Sequence, residues 1–411
     1  MKNNRLTVAI LIAMLLGIGC GEFVHRTMPS VAAIEAFAGY VSILSDIFMR
    51  LIKMIIAPLV FSTLVVGVAK LGDVAAIGRL GVKTLFYFLS ASLMSLTLGL
   101  ILVNLLQPGM HLHLPIPAGN GSFGVSASSF DLKSFLHHVI PQNLVEAMGN
   151  NEILQIVVFS LFFGIAATAM GRQGKPVVDV LDALGHVMLR ITSYVMLFAP
   201  PAVFGATAGI IAQKGLGILA TYGLLIGEFY LGLALLWTVL ALVGYLFVGA
   251  RVKNLLSCLR EPMLLAFSTS SSESAFPKTL QELEKFGCPN RIASFVLPLG
   301  YSFNLDGSMM YMSFATLFIA QAYGIALSWQ QQIILLLTLM LTSKGIAGVP
   351  RASLVIIAGA LAMYGIPEAG LLLLLPVDHF LDMGRSATNI LGNAVATAVM
   401  SKWEKQLKAG S

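Results

Sequence analysis

The residues able to do chemistry are concentrated near the C-terminal end, in VDHFLDMGRSATNILGNAVATAV, residues 377–399. At about 100° per residue on a helix, Asp378, Asp382, Arg385, Ser386, Asn389 and Asn393 fall within an arc of roughly 100°. Two carboxylates and a guanidinium inside an apolar run are costly, at least about 2.5 kcal/mol each on membrane-insertion scales. A structural ion pair between Arg385 and Asp378 or Asp382 is the simplest use of that face. The hydroxyl and amide groups beside it exceed what a pair needs, so the face reads as a binding surface. Arg385 suits a carboxylate, because its planar fork can hold both oxygens. Asp382 lies one turn away and suits an ammonium, while Ser386 and Asn389 add short polar contacts.

A second cluster is Tyr301-Ser302-Phe303-Asn304-Leu305-Asp306-Gly307-Ser308. NLDG is by itself an ordinary turn signal. Inside a long apolar run it predicts local unwinding at Asp306-Gly307, and unwound carbonyls with the Asn304 and Asp306 oxygens suit an alkali cation. A third is the tip Ser268-Thr269-Ser270-Ser271-Ser272-Glu273-Ser274, whose hydroxyl and N–H groups suit an anion. Glu273 in it is either a buried proton site or an anchor for the hairpin. His379 beside Asp378, with many serines, invites a hydrolase reading. That reading fails, because adjacent helix residues do not face each other and no nucleophile motif accompanies them. No enzyme is expected.

The elements that must position these groups are membrane helices. Of 411 residues, 57% are hydrophobic and only 11% charged, with mean hydropathy +0.87. A soluble domain carries about 25% charged residues. Apolar segments lie at about 7–25, 42–69, 82–106, 152–170, 183–212, 218–249, 292–322 and 368–400. The first is read as a membrane helix rather than a signal peptide, because its apolar run is long and further spans follow. The stretch 107–150, rich in Gly, Pro, Ser and His, reads as a long excursion on the far side. Lys2, Arg5, Lys70, Arg79, Lys83, Arg172, Lys175, Arg251, Lys253, Arg260, Lys402, Lys405 and Lys408 then all fall on one side. The positive-inside rule makes that side cytoplasmic, with both termini inside. The net charge of +6 is thereby a matter of orientation, and nucleic acid is not an expected partner. Cys20, Cys258 and Cys288 suggest neither a disulfide framework nor a zinc site.

Segments 255–288 and 330–365 break the pattern. The first has a short apolar arm, the tip Ser268–Ser274, then Pro277 and a charged stretch; the second has two apolar arms around the tip Thr342–Arg351. Bare backbone is not tolerated in lipid, so such tips must line a cavity. Each is followed by a polar-studded helix, which makes two similar halves, as in inverted-repeat transporters. No P-loop is present, so ATP-driven pumping is not expected. A channel would spread polar residues over several helices rather than collect them in one core.

SSSES…P, GYSFNLDGS, LTSKGIAGVP and DHFLDMGRSATNILGN occur in this order. Together with LIKMIIAPLVFSTLVVG they resemble the glutamate transporter homologues, the dicarboxylate/amino acid:cation symporters of the sodium:dicarboxylate symporter type. The resemblance covers nearly the whole chain. It implies an all-α polytopic protein of the bacterial inner membrane, with eight transmembrane helices, two re-entrant hairpins, inverted repeats and elevator motion. It implies a homotrimer in the lipid bilayer, with no organic cofactor. Residues 1–250 would form mainly the scaffold, with the third helix and parts of others packing on the core. Residues 251–403 would form the transport core and 404–411 a short tail.

By position, the resemblance places the distal carboxylate of a small anionic substrate on Arg385 and its amino group on Asp382. Asn389 and Ser386 would contact it, and Ser271, Ser272 and the tip backbone at Gly348 and Val349 would close over it. Cation sites would use Asn304, Asp306, Asp378, Asn393 and Ser92, with sodium ligated by Asn304, Asp306 and Asn389. Two departures bear on the ion. Asn393 stands where sodium-coupled members carry an aspartate. Phe88, Ala91 and Ser92 stand where they carry Tyr, Thr and Ser. Both remove oxygen ligands and favour a proton, or a proton with reduced sodium use. Proton-coupled members often carry an acid in the third helix where this chain has Leu89, so the carrier would be Asp306, Asp382, Asp378 or Glu273. Asp382 favours glutamate or aspartate over a plain C4-dicarboxylate such as succinate, fumarate or malate. Arg351 on the second tip pulls the other way.

Overall fold

The computed structural model describes residues 2–28, 30–71, 74–111, 139–150, 152–217, 222–343, 352–374 and 377–408. Every regular element among them is helical. The chain opens with α1 (Lys2–Thr27), α2 (Val31–Leu71), α3 (Val74–Leu106) and the short α4 (Pro108–His111). It continues with α5 (Leu144–Gly149), α6 (Ile153–Ala169), α7 (Lys175–Val195), α8 (Ala199–Lys214) and α9 (Gly223–Val248). Then come α10 (Val252–Cys258), α11 (Arg260–Thr269), α12 (Phe276–Phe286), α13 (Asn290–Phe303) and α14 (Asp306–Ala322). The last are α15 (Trp329–Thr342), α16 (Ala352–Met363) and α17 (Asp378–Trp403).

The distribution of polarity is that of a multi-pass membrane protein. Leu15, Leu16, Phe23, Tyr40, Phe86, Phe162 and Leu246 lie on the outside, whereas Asn304, Asp306, Thr388 and Asn393 are buried. Among the described residues, Val8–Thr27, Val31–Phe48, Gly78–Leu106, Lys175–Lys214 and Gly223–Cys258 are long and apolar enough to cross a membrane. The C-terminal α17 is not among them because its Arg, Asn, Ser, Thr and Gly residues lower its hydropathy. It is buried within the protein continuously from Met383 to Ser401, so its polar face meets other helices rather than lipid.

The helices sort into two groups. In the first, α1 packs on α8, and α2 packs on α6, α7 and α8. In the second, α3 packs on α14, and α17 packs on α9, α11, α13 and α14. The groups meet where α13 lies on α2 and where α11 touches α1 and α8.

Several boundaries differ from the sequence reading. The Ala-rich AAIEAFAGY favours helix, so α2 starts at Val31 rather than near 42. The segment 183–212 is divided by a 3-10 turn at Met196–Phe198, just before Pro200-Pro201. Segment 368–400 begins with a 3-10 turn, Glu368–Leu373, before α17. The predicted break falls at Asn304–Leu305, with Gly307 already helical in α14.

Hairpin 1 runs α10–α11, a turn, and α12 back. Ser270 turns the chain in the left-handed region (φ 50°), and Gly287 ends the return arm at φ 111°, where glycine is at ease. Lys278 Nζ lies 3.0 Å from Glu261 Oε1 and 3.3 Å from Glu282 Oε1, which ties the two arms by a buried ionic bridge. The arms of the second hairpin are α15 and α16. Asn104 Nδ2 donates to Gln332 Oε1 (2.7 Å), pinning α15 to α3. Its tip, with Gly348, Val349 and Arg351, lies outside the described residues, as does most of the 107–150 excursion.

At the end of α17, Glu404 takes hydrogen bonds from Arg79 (3.0 Å) and Lys83 (2.7 Å) of α3. Burial works to raise its carboxyl, and the two donors outweigh that and hold it below its ordinary value.

What positions the polar groups is the close approach of the α13–α14 break to α17. A Cβ on Gly392 would run into the Asp306 carboxylate, and one on Gly307 would lie 2.6 Å from the Arg385 carbonyl oxygen. Small residues of this kind let membrane helices come together. Gly392→Ala is therefore expected to destabilise the detergent-solubilised protein by about 1–3 kcal/mol. An unchanged thermal transition would show that the two helices are not in contact there.

Candidate functional site

Arg385 stands at the centre of one of two polar clusters. Its side chain is 4% exposed, in the middle of the protein. Its Nη2 lies 3.3 Å from Asp378 Oδ1 and 2.9 Å from Asp382 Oδ1. Its guanidinium carbon sits 3.9 Å from the centroid of the Tyr311 ring, and the Tyr311 hydroxyl donates to Asp378 Oδ1 (2.9 Å). One ring thus supports the cation from below and orients its carboxylate partner.

This arrangement leaves donors unused. A guanidinium carries five N–H groups. The two on Nη2 face the aspartates, while Nε and Nη1 are buried and have no hydrogen-bond partner among the described residues. An unsatisfied buried donor costs about 1–3 kcal/mol, and more on a charged group. Asp382 differs from Asp378 in exposure, with its side chain 38% exposed against 10%, although its pair with Arg385 is the shorter, 2.9 Å against 3.3 Å.

The second cluster lies at the break. Asn304 and Leu305 have non-helical backbones, and Asp306 opens α14 fully buried. Asn304 Nδ2 donates to Asp306 Oδ2 (3.0 Å) and to Asn393 Oδ1 (3.2 Å). Ser95 Oγ donates to Asp306 Oδ1 (3.0 Å), and Ser92 Oγ donates to the Phe303 carbonyl (3.3 Å). Asn304 Oδ1 and Asn393 Nδ2 are buried without a partner among the described residues.

Asn389 joins the two clusters. Its Oδ1 accepts from the Gly307 and Ser308 N–H groups (2.9 and 3.3 Å), and its Nδ2 donates to Ser308 Oγ (3.2 Å). It therefore caps the first turn of α14, a role beyond the ligand contact read from the sequence. Ser386 is buried beside Arg385.

In hairpin 1, Ser271 Oγ accepts from the Ser274 N–H (3.4 Å), and its carbonyl accepts from Ser274 Oγ (2.7 Å). Ser272 precedes the 3-10 turn Glu273–Ala275. Ser270 Oγ lies 3.4 Å from His379 Nε2, so the tip reaches the first turn of α17.

The structure thus brings Asp378, Asp382 and Arg385 into one cluster, and Asn304, Asp306, Asn393 and Ser92 into another. Asp378, grouped with the cation residues in the sequence, faces Arg385 and Tyr311. Gly348 and Val349 lie outside the described residues. Two contributors escaped the sequence reading. Ser95 sits one turn after Ser92 on the same face of α3, a legible spacing. Tyr311 gave no signal, since an aromatic residue in an apolar helix ordinarily reads as core.

Membrane helices enclosing a buried ionic site, with an interrupted helix and paired hairpins beside it, define a polytopic transport protein. The chain belongs to the sodium:dicarboxylate symporter family, which it matches over residues 6–403. That is a family of symporters and not of enzymes. It is 39% identical over 422 residues to the proton/sodium-glutamate symport protein of Bacillus caldotenax, covering 99% of this chain and 96% of the relative. It is 39% identical over 410 residues to the C4-dicarboxylate transport protein of Rhizobium leguminosarum, covering 98% and 90%. It is 41% identical over 409 residues to the protein of that name in Rhodospirillum rubrum, covering 98% and 89%.

Tyr311→Phe keeps the ring under Arg385 and removes the donor to Asp378. The expected result is a loss of about 1–3 kcal/mol in the unfolding transition of the solubilised protein. No loss would mean that the Tyr311–Asp378 bond is not formed.

Proposed function

We propose that this protein is a secondary active symporter that imports an acidic amino acid, with its substrate carboxylate held by Arg385. The observation that carries this reading is the buried guanidinium with Nε and Nη1 unpartnered. Each edge of the guanidinium pairs Nη2 with one of these nitrogens. A carboxylate that replaces Asp382 at Nη2 therefore finds a second donor beside it.

Displacement also sets selectivity. Asp382, once released, faces the ligand. An ammonium on the substrate pairs with it, whereas a plain dicarboxylate leaves two anions opposed. Aspartate and glutamate are therefore favoured. The second reading is a C4-dicarboxylate symporter without amino-acid preference, in keeping with the names of two of the three relatives above. Ser386 and Asn389, with Ser271 and Ser272 of hairpin 1, complete the pocket.

The coupling ion is cargo. Asn304 Oδ1 offers a buried free lone pair, and Asp306 beside it a single carboxylate. A site with one charge and amide oxygens fits a monovalent cation. Asn393, with both Nδ2 donors unused among the described residues, lowers the oxygen count and argues for reduced sodium use alongside a proton.

In this reading eight helices cross the inner membrane of a bacterial cell with both termini in the cytoplasm, and the two hairpins re-enter from opposite sides. The group built on α1, α2, α7 and α8 forms the frame of a homotrimer. Residues 251–403, including both hairpins, with α3 and α9 packed on them, carry the site across as an elevator.

Uptake of labelled aspartate and succinate into proteoliposomes tests the assignment. Arg385→Ala is expected to lower uptake of both by about 100-fold or more. Asp382→Ser is expected to spare succinate and shift the aspartate-to-succinate preference by about tenfold. Intact uptake by Arg385→Ala would place the anion elsewhere, and an unmoved preference in Asp382→Ser would remove the ammonium role.

A further inference from the structure

Past the end of α17 the chain turns back onto the helices beside it. Lys405 stands in the left-handed region (φ 54°), and its N–H donates to the Lys402 carbonyl (2.9 Å). The Gln406 N–H donates to the Ser401 carbonyl (2.9 Å). That pair of bonds is a Schellman ending, where the left-handed residue is usually glycine. A lysine held there against its preference is fixed by what surrounds it.

Three elements do the fixing. Glu404 accepts from Arg79 Nη2 (3.0 Å) and Lys83 Nζ (2.7 Å) of α3. Arg291 Nε, in the first turn of α13, donates to Gln406 Oε1 (2.8 Å). The Lys408 N–H donates to the carbonyl of Gly287 (3.0 Å), where the return arm of hairpin 1 ends. A Cβ on Gly287 would lie 2.8 Å from the Lys408 carbonyl oxygen, so the close approach there needs a glycine. Leu407, between these contacts, packs on the hydrophobic core.

We propose that residues 404–408 are a salt-sensitive strap that fastens the base of hairpin 1 to α3 and α13, so that hairpin 1 stays docked while substrate is carried. The strap stands on its own contacts. Its consequence for transport rests on the symport reading above and deepens it.

The two ends of the strap differ in kind. Gln406 and Lys408 hold by hydrogen bonds that involve no ion pair. Glu404 holds by ionic bridges to Arg79 and Lys83, whose side chains are 55% and 35% exposed, so dissolved ions screen that end. Holding the base also holds the tip, because the Lys278 bridge to Glu261 and Glu282 ties the two arms. The tip carries Ser271 and Ser272 of the proposed pocket. A freed base therefore loosens the pocket wall and lets bound substrate escape.

Cys288 reports on the strap, because it follows Gly287 directly and is 2% exposed. The test is the rate at which a maleimide labels Cys288 in the solubilised full chain, read by peptide mass spectrometry. Wild type is expected to label slowly at low salt and about two- to fivefold faster at high salt. Glu404→Gln is expected to label at the faster rate already at low salt, with no further response to salt. Deletion of 404–411 is expected to speed labelling at least about tenfold. In proteoliposomes both variants are expected to keep aspartate exchange within about threefold while accumulation falls at least about fivefold. Should the deletion disturb folding, the salt response of wild type against Glu404→Gln decides the matter. An unchanged labelling rate in Glu404→Gln, or a salt response that survives in it, would overturn the strap. Faster labelling with unaltered accumulation would overturn its role in transport. Failure of wild type to exchange aspartate or succinate at all would instead refute the symport reading and leave the labelling result standing.

Discussion

A guanidinium inside a membrane protein must be held by counter-charges, and the arrangement of Arg385 sets terms for the elements around it. Two aspartates on its own helix supply more negative charge than it needs, and the Tyr311 ring covers one face. The two carboxylates converge on a single nitrogen. The remaining donors are buried with no hydrogen-bond partner among the described residues, which is poor for stability. Asp378 also accepts from the Tyr311 hydroxyl, whereas the Asp382 side chain is 38% exposed.

That chemistry needs the break in the seventh apolar segment. Asn389 takes the first N–H groups of α14, Ser95 and Asn304 hold Asp306, and Gly307 and Gly392 let the backbones meet. Asn389 thus touches α14 from the same helix that carries Arg385, so the two polar clusters lie on adjoining stretches of α17.

Much of this was legible in the sequence because membrane chemistry is unforgiving. Charges in an apolar run have few uses, so the face of α17 and the NLDG break were visible from residue type and spacing alone. Most of the individual helices followed from apolar length. The sequence misplaced the break by two residues, since it read Gly307 as the unwinding residue when its role is close approach to Arg385. It also missed Tyr311, because nothing in MMYM separates an aromatic that supports a cation from one that fills a core. Ser95 was within reach by the one-turn spacing from Ser92. Asn389 was read as a ligand contact, and its cap on α14 depends on a neighbour more than 80 residues away in sequence that no local pattern reveals.

The most direct test of the central claim is an experimental structure determined with L-aspartate bound. The substrate carboxylate is expected on Arg385 Nη2 and one neighbouring nitrogen, with Asp382 turned onto the substrate ammonium and Asp378 still held by Tyr311. A bound aspartate that leaves the Arg385–Asp382 pair intact, or that sits away from Arg385, would contradict it.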